Sequence, residues 1–101
     1  MLKADSMLPE LTAADRALHM DWLREITPLP TAAGREFRVV RWIEAWAKDR
    51  PDVALTHDPA GNMVLSLRDV VPSDAPVFFT AHLDHPAFVV ERIVAPGVVE
   101  L

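Results

Sequence analysis

Residues 77–81 (Val77, Phe78, Phe79, Thr80, Ala81) form a short run with no charge, bounded by Pro76 and His82. A run this short and this rich in apolar and β-branched side chains reads as a strand buried on both faces. Such a strand needs cover on two sides, which points to an α/β sheet with helices against it. Open α/β sheets collect ligands just beyond the carboxyl ends of their strands, and here that edge carries His82, Leu83 and Asp84. A neutral imidazole is a common ligand for zinc-like ions, and a carboxylate two residues on can orient the ring. His-x-Asp is equally an ordinary loop pattern after a strand, and the residues alone leave both readings open. No Cys is present, and His19, His57, His82 and His85 show no spacing that closes a metal site.

Upstream, Thr12 and Asp15 have the spacing of a capping box and predict a helix start. Ala14, Leu18, Trp22 and Ile26 then recur every four residues, with Leu23 beside them, until Thr27 and Pro28 end the pattern. Residues 28–33 form a loop. A second helix is expected over about residues 34–49, with Phe37, Val40, Ile43 and Ala47 on one stripe and Val39, Trp42 and Trp46 on the next. Two adjacent stripes exceed the roughly 100° arc of a surface helix, so this helix should pack on two neighbours. The tryptophans read as core rather than as a cofactor stack. Arg35, Arg38, Arg41, Lys48 and Glu44 read as its solvated face, and His19 as a boundary residue of the first helix.

A strand over residues 53–57 and a second one with Met63, Leu65 and Leu67 in strict alternation predict a hairpin. Asp58 and Pro59 preset its turn and Gly61 supplies a positive φ; His57 reads as a plain hairpin residue. A polar loop containing Pro72 leads into the 77–81 strand. A last strand is expected over residues 87–94, interrupted by Ala95, Pro96 and Gly97.

Half of the 101 residues are apolar and a quarter are charged. A globular chain of this size should bury about 65% of its unfolded surface. The net charge of -5 and the lack of a basic run exclude nucleic acid as the expected partner. The first ten residues have no signal-peptide core and no stretch has the length of a membrane span; with no cysteine to form a disulfide, a cytoplasmic location and no membrane partner are expected.

The order of these features resembles the opening of the catalytic domain in co-catalytic metallo-aminopeptidases of the glutamyl and deblocking type. The match consists of a helix, the prolines 28 and 30, and Gly34, Arg35, Glu36 leading into a second helix. Asp58, Pro59, Ala60, Gly61, Asn62 then match an Asp-x-x-Gly-Asn hairpin, and Ala81, His82, Leu83, Asp84 with Phe88, Val89, Val90 match Ala-His-x-Asp followed by Phe and an apolar strand. The resemblance covers roughly residues 20–95. It departs from the family at His85, Pro86 and Ala87, where Glu, an apolar residue and Gly are usual.

By resemblance, His82 is a ligand of one of two divalent metal ions, zinc or cobalt, and Asp84 is the catalytic-site carboxylate that positions its surroundings. The substrate would be a peptide losing its amino-terminal residue. The implied fold is the amino-terminal part of a three-layer αβα sandwich, here helix-helix-hairpin-strand-strand. The implied organisation is a mobile segment 1–11, the catalytic-domain portion 12–95 and a tail 96–101. Family members have about three hundred residues, with a bridging acidic ligand, a catalytic Glu and two further ligands downstream. The resemblance therefore implies an amino-terminal portion of a larger enzyme that is inactive alone. A metal-dependent deacylase or dipeptidase of the same fold is the alternative within enzymes. Outside them stands a non-catalytic module that self-associates into a homo-oligomer through its apolar helix face and tail.

Overall fold

The computed structural model describes residues 10–70 and 74–101. The architecture is mixed α/β: two helices followed by two small antiparallel hairpins. Helix α1 (Ala13–Ile26) starts where the sequence places it. Thr12 is its N-cap, and its Oγ1 accepts the Asp15 N–H at 3.1 Å while the Asp15 carboxylate accepts the Thr12 N–H at 2.9 Å. These two bonds satisfy donors that the first helical turn leaves without partners. At the other end, the Thr27 hydroxyl donates to the Leu23 carbonyl at 2.6 Å, and Pro28 cannot continue the ladder.

Helix α2 (Phe37–Lys48) begins three residues later than the sequence pattern suggests. Gly34 sits at φ 74°, a turn conformation that a helical residue does not take, and its N–H donates to the Glu36 side chain at 2.9 Å. The helix has the two neighbours that its paired stripes demand. Trp46 meets Trp22 of α1 edge to face, with ring centroids 5.4 Å apart, and Trp42 Nε1 donates to Glu25 at 3.1 Å. Along another side, α2 packs on β1 (Val53–His57), where Val39, Ala47 and Val53 are buried.

Strand β1 pairs with β2 (Met63–Leu67) around Leu55 opposite Leu65. Asp58 builds the turn: its carboxylate accepts the N–H of Ala60 at 2.9 Å, the N–H of Asn62 at 2.8 Å and the Asn62 side-chain amide at 2.8 Å. Gly61 follows at φ 88°. Strand β2 is exposed on both faces beyond Met63, so the alternation of the sequence has no core face to match.

The carboxyl-terminal third departs from expectation. Residues 77–81 form neither helix, turn nor strand and belong to no sheet. A strand is defined by its ladder partners, and both strand pairs among the described residues are closed local hairpins that leave this segment out. The predicted strand over residues 87–94 is likewise shorter: β3 covers Arg92–Ala95. Pro96 and Gly97 do not stop the chain but turn it, with Gly97 at φ 76°, into β4 (Val98–Glu100). Proline then glycine is the central pair of a type II turn, and Arg92 pairs with Glu100 across the hairpin. Half of the expected tail 96–101 is thus a strand. Residues 1–9, and the Pro72 loop at 71–73, lie outside the described residues.

The chain stays open. Its accessible surface is 9368 Å², where a compact chain of 11.2 kDa exposes roughly 5,700 Å². Burial is therefore roughly 40% of the unfolded surface, not the expected 65% or so. The radius of gyration is 19.1 Å against about 13 Å for a closed domain of this length. No described helix is long and apolar enough to cross a membrane.

Candidate metal corner at His82 and Asp84

The His82 ring is held through Nδ1. That atom lies 2.9 Å from the backbone carbonyl oxygen of Asp84 and 3.2 Å from its Oδ1. Both neighbours are acceptors, so in the neutral ring Nδ1 is the donor and the lone pair falls to Nε2. A carboxylate that fixes one ring nitrogen while the other ligates is the usual outer-sphere arrangement of a metal-binding histidine. The His82 side chain is 79% exposed and that of Asp84 41%. Nε2 can therefore be reached from solvent.

What sets this corner in place is a residue that the pattern did not single out. Thr31, in the loop between the helices, is 6% exposed. Its hydroxyl donates to the Leu83 carbonyl at 3.0 Å, and its own carbonyl accepts the His85 N–H at 2.9 Å. The two bonds bracket Asp84 and fix the backbone on either side of it. A threonine in a loop with two prolines gives no sequence signal of such a role, because its partner lies 52 positions away. Next to this anchor a groove of about 370 Å³ is lined by Thr31, Arg35, Phe37, Phe88 and Val90 among others.

The other histidines stay apart from the corner. His57 Nε2 lies 3.6 Å from Glu44 of α2, a contact across the helix and hairpin that the sequence did not indicate. His19 is half-buried against Trp22, ring centroids 5.1 Å apart. His85 is tied by its backbone, and among the described residues no three His, Cys, Asp or Glu side chains converge as a ligand set. His82 and Asp84 are thus brought together, and nothing among the described residues joins them. Of the basic residues on α2, Arg38 and Arg41 lie over the Phe37 ring, 4.6 and 5.6 Å from its centroid, in line with a solvated face.

Compared with known protein families, with curated proteins and with solved structures, the chain matches none.

Proposed function

We propose that the chain supplies one corner of a two-metal hydrolase centre, with His82 Nε2 as a ligand of a divalent ion, zinc or cobalt, and Asp84 as the carboxylate holding the ring. The observation that carries this reading is His82 Nδ1 lying 2.9 Å from the Asp84 carbonyl oxygen and 3.2 Å from its Oδ1, which leaves Nε2 for coordination. Two donors do not close a tetrahedral or bridged site, so the remaining ligands come from outside the described residues. The reaction class that fits is hydrolysis of an amino-terminal peptide bond, as in the aminopeptidases that the motif order resembles. The three-layer sandwich belongs to the same proposal, with α1 and α2 as part of one helical layer. Bound there, the metal ions would supply an activated water and a clamp for the carbonyl. The part of this chain is narrower: Asp84 keeps the proton on Nδ1, and Thr31 keeps the backbone of the corner in place.

Calorimetric titration of Zn²⁺ and Co²⁺ tests the ligand assignment. An incomplete corner binds weakly, so the titration extends to millimolar ion, and His82→Ala is expected to abolish the binding seen in the unsubstituted chain. Asp84→Asn and Thr31→Val retain Nε2 but loosen its support, and should weaken binding by roughly 10-fold or more. Binding that is indifferent to His82→Ala removes the proposal.

A further inference from the structure

The segment 77–81 has the composition of a strand and none of the pairing. Val77, Phe78 and Phe79 are 78%, 79% and 95% exposed. Among the described residues, no backbone hydrogen bond joins the segment to another part of the chain. In strand conformation five residues span about 17 Å, and their unpaired backbone is a template for another strand.

We infer that this segment pairs antiparallel with the same segment of a second copy, centred on Phe78 opposite Phe78. This is independent of the metal reading. The segment itself carries no charge, so two copies meet along it without repulsion. The flanks choose the register. Centred on Phe78, Asp74 of one copy lies opposite His82 of the other, so no like charges face each other. Centred on Phe79, Asp74 would lie opposite Asp84, two like charges, which is unfavourable. The Phe78 register also accommodates Pro76. With Phe78 at a non-hydrogen-bonded position, where side chains approach most closely, Pro76 falls two residues away at another such position, and its missing N–H is not required. Val77 and Phe79 then exchange the ladder bonds and form an apolar cluster on the opposite face.

Area sets the strength. Val77, Phe78 and Phe79 expose on the order of 450 Å² per copy, so the pairing covers at most about 900 Å² in total, the weak end of specific interfaces. A dissociation constant in the micromolar range is expected. The symmetric pairing also separates the two His82 residues by roughly 27 Å along the ladder. They cannot share one ion, so metal bridging is not what holds the copies together.

Sedimentation equilibrium of the full chain in EDTA, from about 1 to 200 μM, tests this. The expected result is conversion from 11.2 kDa to twice that mass, with slowed amide exchange at Val77 and Phe79 in the dimer. Phe78→Lys places two ammonium groups opposite each other and should raise the dissociation constant at least tenfold. Phe78 is mostly exposed, so the far-ultraviolet circular dichroism of the monomer should not change. Phe88→Ser, at a side chain equally exposed but outside the segment, should leave the dimer intact. A mass fixed at 11.2 kDa, masses beyond two chains, a dimer that survives Phe78→Lys, or one lost with Phe88→Ser would each overturn the inference.

Discussion

Asp58 shows how far one side chain can organise its surroundings. Its carboxylate is held below the ordinary carboxylate range, first by the Asn62 side-chain amide and then by the backbone N–H groups of Asn62, Ala60 and Gly61. A lowered folded-state pKa means that the stabilising bonds are complete above the unfolded value, near pH 4, and fade as pH falls through the lower folded value. The Asn62 side-chain amide resonances should therefore be constant from neutral pH to about pH 4 and move below it. Asp58→Ala should abolish that acid transition and speed amide exchange across the β1–β2 turn. A transition that persists in the variant would assign it to another carboxylate. Turn and cap residues of this kind, Thr12, Asp15, Asp58 and Gly61, were legible in the sequence because their partners lie within four positions. Thr31 was not, since nothing local distinguishes it from any other loop threonine.

At the scale of elements, the two helices are joined by a cation. The Arg50 guanidinium lies 3.9 Å from the Trp46 ring centroid and 4.6 Å from that of Trp22, and it donates to the Trp46 carbonyl at 2.8 Å. Arg50 is half-buried, and cation–π contacts contribute about 0.5–1 kcal/mol in water and about 2 kcal/mol when desolvated. Arg50→Ala should destabilise the helix pair by that order and shift tryptophan emission to the red as Trp22 and Trp46 gain water. Unchanged emission and melting would mean that the rings hold each other unaided. Both helices and the first hairpin were legible from periodicity, to within three residues at each end. The second hairpin was hidden because Pro96 and Gly97 serve equally to end a strand and to turn one. The 77–81 run was misjudged for the opposite reason. Its composition specifies a strand, but composition does not provide a neighbour.

For the whole molecule, the decisive quantity is the surface that stays in water. Among the described residues, three buried apolar side chains, Val39, Ala47 and Val53, are a small core. The slope of unfolding free energy against urea scales with the area exposed on unfolding. At low micromolar concentration it should be roughly two thirds of that of a compact domain of equal length. The chain should also bind hydrophobic dyes while native. A slope matching a compact domain would mean that the exposed surfaces close in solution. Apolar content alone anticipated a closed core, because composition counts apolar residues without saying whether the chain brings them together.

The Thr31 anchor has a consequence for the order in which the chain acquires its shape. The capping box, the Asp58 turn and the Pro96 turn each close within a few residues and can form early. The bonds from Thr31 to Leu83 and His85 close a circuit of some fifty residues. The entropy of such a closure grows only logarithmically with its length, about 0.6 kcal/mol per doubling. A change of a few residues in the length of that circuit would thus barely alter its closure cost. Among these closures the histidine corner spans the longest stretch of chain, joins elements that close by themselves, and takes its position from a hydroxyl that bonds the backbone beside it.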